Sequence, residues 1–360
     1  MKTTYYADII FHQCLNESGQ LVCPLPDQLA SGKPLVESYK WMVLSRLFDN
    51  KAISLQRTGQ LGTYASSCGC EAIDSVTAAL MNSSDVLVPY YRNHIMQVIR
   101  GAKFSEILGY WGGDERGNAA LGQHQDLPNA VPIATQYLHA CGVATAIKIR
   151  HQGRAVVAMI GDGGTSKGDF YEALNVAGAW QLPVVFIINN NQWAISVPRQ
   201  LQTAAQTLAQ KGIGAGIQCE QVDGNDAIAL HQRISLALDH ARKGKGPSLI
   251  EAVSYRLSDH TTADDATRYR EPEALKAAWD KEPIKRLRQF LSVQGWWDET
   301  QEQQLNQACA LTIQTAVDEY LKTPAPSISD MFDYLFETLP ASTEQQKVQA
   351  MALAEKRGQK

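Results

Sequence analysis

Two apolar runs separated by a glycine-rich turn constrain the fold of this chain more than any other feature. Ala155–Ile160 is an uninterrupted apolar segment, which is typical of a parallel strand buried on both faces. Gly161–Gly164 interrupt it, a helix is predicted over Asp169–Trp180 with Asp169 as its cap, and Val184–Ile188 form the next strand. Together with a third predicted strand at Ser248–Val253, this alternation predicts an α/β fold, a doubly wound and mostly parallel sheet with helices on both faces.

The remaining segments add predicted helices around this unit. Apolar residues recur at helical spacing from Val36 to Gln56, and residues 70–81 predict a second helix. Residues 112–132 are rich in Gly, Asn and Pro, which favours a long loop. We therefore divide the chain into an extended N-terminal arm, an α/β domain and a C-terminal helical tail, over residues 1–34, 35–325 and 326–360.

Composition narrows the functional classes. The 360 residues are 44% hydrophobic, which is enough for a large core. The net charge of −4 argues against a general nucleic-acid binder or a partner for anionic membranes. No apolar run approaches the ~20 residues of a membrane span, and the N-terminus has no signal or transit pattern, so we expect a cytoplasmic protein. Seven scattered cysteines do not resemble a disulfide framework and favour a reducing compartment.

The glycine-rich turn is where α/β proteins hold phosphorylated ligands, and three kinds of site compete for it. A dinucleotide fingerprint would need a glycine at the position of Ser166. A P-loop would need a glycine before Lys167 and a serine or threonine after it, but its neighbours are Ser166 and Gly168. The carboxylate of Asp162 would repel a phosphate unless a cation lay between them, which favours a metal-bridged diphosphate.

The second half of such a site follows the next strand, at Asn189–Asn191. Because adjacent parallel strands end side by side, Asp162 and Asn191 can converge on one ion, and Mg²⁺ prefers oxygen ligands of this kind. The backbone amides of Gly163 and Gly164 can donate to phosphate oxygens. The residues alone leave open a second interpretation, a strand and turn without any ligand.

Longer segments around the turn resemble a known family. The run GDGGTSKGDFYEALNVAGAW from Gly161 and the run NNQWAIS from Asn190 are similar to the E1α subunits of pyruvate and branched-chain 2-oxo acid dehydrogenase complexes. The resemblance extends from about residue 8 to about residue 340. It implies a thiamine diphosphate-binding fold, with thiamine diphosphate and Mg²⁺ as cofactors. The implied metal ligands are Asp162, Asn191 and the carbonyl of Trp193.

The resemblance also assigns residues outside the turn. Tyr91 and Arg92 match the pair that holds the diphosphate, and the planar fork of an arginine can bind phosphate oxygens bidentately. Val131 matches a main-chain contact of the aminopyrimidine ring, and Ile133 matches the side chain beneath the bent cofactor. His260 matches the active-site histidine, a role suited to an ordinary pKa near 6.5.

A structural K⁺ ion remains an alternative at one further segment. Branched-chain relatives bind this ion near the aminopyrimidine segment, and Thr135 and Gln136 match its ligands there. The residues by themselves do not decide whether the ion is present in this chain.

The resemblance implies an active site shared between two chains. The chain would be the α subunit of an α₂β₂ heterotetramer, because in this family the glutamate that activates the cofactor comes from the β subunit. The implied reaction decarboxylates a small 2-oxo acid and transfers the acyl group to the lipoyl domain of an E2 acyltransferase. We favour pyruvate as substrate, with a branched-chain 2-oxo acid as the alternative. A non-catalytic, partner-binding subunit is a third possibility, against which the intact Asp162, Asn191, Arg92 and His260 argue.

Overall fold

A computed structural model of the protein describes residues 7–357, without the side chains of 120–124. The first six residues of the predicted arm and the last three of the predicted tail lie outside the described residues. The chain forms two compact units, Met1–Val317 and Asp318–Lys360, of which the first holds all the strands.

Six strands form one parallel sheet within the described residues. In chain order they are β1 (Phe11–His12), β2 (Val86–Val88), β3 (Val156–Gly161), β4 (Val184–Asn190), β7 (Gln218–Asp223) and β8 (Ser248–Val253). The two remaining described strands, β5 (Trp193–Ala194) and β6 (Val197–Pro198), form a separate antiparallel hairpin. The spatial order is β1-β7-β8-β4-β3-β2, and every neighbouring pair is parallel. The predicted α/β class is confirmed. The three strands predicted from the sequence correspond to β3, β4 and β8.

Helices surround this sheet in the first unit. They are α1 (Lys33–Arg57), α2 (Glu71–Leu80), α3 (His94–Ile99), α4 (Phe104–Trp111), α5 (Thr135–Ile149), α6 (Gly168–Trp180), α7 (Arg199–Gln202), α8 (Ala227–Arg242), α9 (Pro272–Asp280) and α10 (Pro283–Val293). The predictions of α1 and α2 are confirmed. Helix α11 (Glu299–Lys322) crosses the boundary between the units, and the second unit contains α12 (Asp330–Asp333) and α13 (Ala341–Lys356). In the described part of the chain, no helix has the length and apolarity needed to span a membrane.

Two local predictions were wrong. Lys167, not Asp169, occupies the N-cap position of α6, and Asp169 lies in the first turn, where a negative charge interacts favourably with the helix dipole. The predicted loop at 112–132 contains a 3₁₀ helix over Glu115–His124. Both errors concern the ends or the type of a short element, for which local sequence carries little information.

The side chains of β4 show how the sheet is buried on both faces. Val185 and Ile187 pack into one apolar cluster with residues of α1, α2 and α8, whereas Phe186 and Ile188 pack into a second cluster with residues of α5 and α6. Burial of each such side chain stabilises the fold by roughly 1.5–3 kcal/mol. The alternation explains the continuous apolar run, since neither face of the strand is exposed to water, and it confirms that helices cover both faces.

The N-terminal segment departs from two expectations. It adds β1 to the sheet through parallel pairing with β7, which its turn-rich sequence did not predict. It also contains a disulfide between Cys14 and Cys23, with Cα atoms 5.0 Å apart, although the cysteine pattern predicted no disulfide framework. The bond is local: an isolated bridge between Leu15 and Leu21 folds the chain back and brings the two cysteines together. Spacing along the sequence does not reveal such a turn.

Candidate functional site

A cavity of about 320 Å³ lies at the carboxyl ends of β3 and β4. Gly161 pairs in register with Asn189, so the segments that follow the two strands begin side by side. This is the edge at which α/β sheets bind ligands. Nine of the predicted site residues line the cavity, namely Tyr91, Arg92, Ile133, Asp162, Gly163, Gly164, Asn191, Trp193 and His260. Val131 does not line it, although its neighbour Ala130 does.

The turn after β3 is too closely packed for side chains. A Cβ atom on Gly163 would lie 2.5 Å from the Cβ atom of Ala194, and one on Gly164 would lie 2.6 Å from the side chain of Ile160. The hydroxyl of Thr165 donates to the carbonyl of Asp162 at 2.8 Å and closes the turn. Glycine is therefore required by packing, which lets the backbone of the turn border the cavity directly.

Asp162 is the only carboxylate among the described residues that line the cavity. Its side chain is 1% exposed, and its Oδ2 atom accepts a 2.6 Å hydrogen bond from Nε2 of Gln202. Burial raises the pKa of Asp162, and the hydrogen bond from Gln202 opposes that rise. An ionised carboxylate in this position is costly unless a cation neutralises it, so the chemistry of the position suits a metal ligand.

The segment after β4 reverses direction through unusual backbone conformations. Gln192 has φ of 72° and Ile195 has φ of 57°, and a β-branched residue rarely adopts positive φ. The carbonyl of Ile195 accepts a 2.9 Å hydrogen bond from Arg256, which helps to hold this conformation. The Oδ1 atom of Asn191 accepts from the backbone N–H of Trp193 at 3.2 Å. Strained backbone of this kind is concentrated at functional sites.

Arg92 and His260 form a hydrogen-bonded pair at the cavity. Nη2 of Arg92 donates to Nδ1 of His260 at 2.9 Å and to its carbonyl at 2.6 Å, while Nη1 donates to the carbonyl of Ser66 at 2.6 Å. Because a guanidinium can only donate, Nδ1 is the acceptor and the proton of the neutral imidazole is on Nε2. Burial, then the charges of Arg92 and Arg256, lower the pKa of His260 to about 4. The pKa of His260 therefore differs from the ordinary value expected from sequence, because sequence shows neither the burial of the ring nor the two arginines beside it.

The donor set fits Mg²⁺ but not a softer metal. Within the described residues, no group of three or more His, Cys, Asp and Glu side chains could hold a metal ion. The predicted ligands contain only one residue of those types, Asp162, and otherwise an amide oxygen and a main-chain carbonyl. Mg²⁺ is commonly held by one or two carboxylates and completed by waters and phosphate oxygens, so this sparse oxygen set is compatible with a metal–diphosphate.

Several residues around the cavity were not predicted as cofactor-binding residues. Lys167 lines the cavity and is exposed, and the sequence showed it only as part of a failed P-loop. Gln136 also lines it; its Nε2 atom donates to the carbonyl of Met159 at 2.9 Å, and its Oε1 atom is buried with no partner in the described part of the chain. The K⁺ site suggested for Thr135 and Gln136 stays a prediction. Gln202 contacts Asp162 from a polar segment that no sequence pattern connected with the site.

Comparison with known proteins identifies similar chains. Residues 39–329 match the model of the dehydrogenase E1 component family. A pyruvate dehydrogenase E1 component subunit alpha from Staphylococcus aureus (strain Mu50) is 38% identical over 338 residues, which cover 93% of this chain and 90% of that protein. The protein of the same name from Mycoplasma genitalium is 35% identical over 336 residues, 93% of this chain and 94% of that one. The one from Staphylococcus epidermidis is 37% identical over 338 residues, with coverage of 93% and 90%.

Proposed function

Because the chain belongs to the dehydrogenase E1 component family, we propose that it is the α subunit of a pyruvate dehydrogenase E1 component. In this role it would take part in the oxidative decarboxylation of pyruvate and the reductive acylation of a lipoyl group. The observation that carries the proposal is the single cavity that brings Asp162, Asn191, Arg92 and His260 together at the end of the sheet. Thiamine diphosphate would supply the carbon nucleophile and the electron sink.

The residues of this chain would bind and orient that cofactor. Asp162, Asn191 and the carbonyl of Trp193 would hold Mg²⁺, and the glycine turn would approach the diphosphate closely. Arg92 would offer positive charge to the diphosphate while its hydrogen bonds fix His260. His260, neutral and protonated on Nε2, would donate a hydrogen bond to a reacting oxygen.

We further propose that the site is completed by a β subunit. No glutamate in the described part of the chain lines the cavity. Glu71 is buried and paired with Arg46, and it also accepts from the backbone of Gly69 at 2.9 Å. Glu172 lies on the exposed side of α6. The activating glutamate that the family requires would therefore come from the partner chain, in an α₂β₂ heterotetramer whose product passes to the lipoyl domain of an E2 acyltransferase.

The names of the relatives favour pyruvate over a branched-chain 2-oxo acid. The preference is tested by assembling the chain with its β subunit, adding thiamine diphosphate and Mg²⁺, and measuring reduction of an artificial electron acceptor. Pyruvate and 3-methyl-2-oxobutanoate are supplied separately. We expect turnover with pyruvate at a kcat/KM at least tenfold higher. A preference for the branched substrate would assign the chain to the other enzyme, and no turnover with either would favour a non-catalytic subunit.

A further inference from the structure

One segment contacts both halves of the predicted metal site from outside the cavity. We call residues 199–211 the bracing segment; it contains α7 and the start of a 3₁₀ helix over Ala209–Ala215. Gln202 donates to Asp162, and Nζ of Lys211 donates to the carbonyl and hydroxyl of Thr165 at 2.8 and 2.9 Å. The turn after β3 is therefore held at two points by side chains about 40 residues further along the chain.

The same segment reaches the turn after β4. The backbone N–H of Ala209 donates to Oε2 of Glu251 at 2.9 Å, and Oε1 of that buried carboxylate accepts from Nδ2 of Asn190 at 2.6 Å. Asn190 directly precedes the predicted ligand Asn191. Glu251 thus connects the bracing segment to the second predicted metal-binding turn, since each of its carboxylate oxygens accepts a hydrogen bond from one of them.

Gln202 has the most direct contact with the metal site. Its Nε2 atom bonds to Oδ2 of Asp162 at 2.6 Å and to the carbonyl of Val197 at 3.2 Å, which together fix the amide plane. Its Oε1 atom is buried and has no partner among the described residues. Nε2 is therefore the atom through which Gln202 acts on the Asp162 carboxylate.

We propose that Gln202 is a positioning residue of the predicted metal site, which fixes the orientation of the Asp162 carboxylate through its hydrogen bond to Oδ2. The inference rests on the proposed function, because it presumes that Asp162 binds Mg²⁺. Partners that orient metal ligands typically affect metal affinity by about 10–100-fold. Mg²⁺ demands near-ideal octahedral geometry, whereas Ca²⁺ tolerates irregular coordination, so misorientation of Asp162 should affect Mg²⁺ more.

The test is Gln202→Met, which keeps the length of the side chain and removes the amide. The α/β complex is saturated with thiamine diphosphate, and the affinities for Mg²⁺ and Ca²⁺ are measured by titration calorimetry. We expect Mg²⁺ affinity to fall by about 10–100-fold, and Ca²⁺ affinity to fall less. The matched control is Gln200→Met on the same short helix, where the side chain is exposed, and it should leave both affinities unchanged.

The outcomes separate this inference from the proposed function. If the wild-type complex binds Mg²⁺ and Gln202→Met binds it with the same affinity, the inference alone is overturned. The same holds if Gln202→Met loses affinity for Mg²⁺ and for Ca²⁺ by the same factor. Failure of the wild-type complex to bind Mg²⁺ with thiamine diphosphate overturns both. If Gln202→Met does not assemble, Gln202→Asn replaces it; this variant keeps the amide but shortens its reach by one carbon, and the same selective loss is expected.

Discussion

Removal of the charge of Arg92 should raise the pKa of His260. In the structure, burial and the neighbouring Arg92 and Arg256 lower that pKa to about 4. With this value, about one imidazole in a thousand is protonated at pH 7, compared with about one in four for an ordinary histidine. The Nη2 atom of Arg92 lies 2.9 Å from Nδ1, against 3.5 Å for the nearest nitrogen of Arg256, so Arg92 is the stronger perturber of the two.

The size of the effect follows from Coulomb's law. Two unit charges 4 Å apart interact by about 4 kcal/mol at an effective dielectric constant of about 20. His260 is only partly buried, so solvent screening reduces this considerably, and we expect Arg92→Met to raise the pKa by about one unit. Arg92→Lys is the matched control. It keeps the charge but loses the planar fork, so the pKa should rise less.

The measurement is an NMR titration of the cofactor-free α/β complex with ¹³C-labelled histidine in this chain, in which His260→Asn identifies the resonance. The wild-type resonance should stay at its neutral position from pH 8 down to about 5, and the midpoint in Arg92→Met should be higher. A wild-type midpoint near 6.5 would refute the reasoning, as would equal midpoints in wild type and Arg92→Met. A wild-type midpoint near 6.5 would show that burial and the arginines do not lower the pKa of the imidazole as the structure indicates.

Three further outcomes are expected. Asp162→Asn should weaken Mg²⁺-dependent cofactor binding at least about 100-fold, because the one carboxylate among the described lining residues is lost. It should also raise the melting temperature of the cofactor-free complex, because a buried charge is removed. Calorimetry measures the affinity and thermal unfolding the melting temperature, and a decrease in both would contradict this prediction. His260→Ala should assemble normally and reduce lipoyl acylation more than the reduction of an artificial acceptor, and equal loss in both assays would count against a role beyond binding. The chain without its β subunit should release no CO₂ from pyruvate at saturating cofactor, and turnover at the rate of the mixture would overturn the shared site.

Sequence predicted the centre of the sheet because its strands are buried on both faces. The continuous apolar runs of β3 and β4 are direct consequences of that burial, whereas β8, SLIEAV, carries the buried Glu251 within its apolar residues. By contrast, β7 has the sequence QCEQVD, in which polar residues dominate, and β1 contains only two residues. Edge and near-edge strands of this kind depend on their neighbours for pairing, so their own residues carry little signal.

Two sources predicted the candidate site: the ends of adjacent strands, and the resemblance, which added Tyr91, Arg92, Ile133 and His260 from distant segments. The turn at Asp162 and the asparagines after β4 follow directly from strand ends. The lowered pKa of His260 could not be predicted, because it depends on burial of the ring in the fold and then on Arg92, which is 168 residues away in the sequence. Gln202 was missed for the same reason: it lies 40 residues beyond Asp162, its segment carries no ligand motif, and only the folded chain brings the two side chains together.

The electrostatics of the cavity explain why metal and diphosphate would bind as a unit. Among the described lining residues, Arg92 and Lys167 carry positive charge, Asp162 carries the only negative charge, and His260 is neutral. A diphosphate alone would be attracted by the two cations but repelled by Asp162, while a metal alone would gain one carboxylate and be repelled by both cations. Together, each ion cancels the repulsion that the other experiences. Since such coupling is reciprocal, Mg²⁺ must raise the affinity for the diphosphate by the same factor as the diphosphate raises the affinity for Mg²⁺.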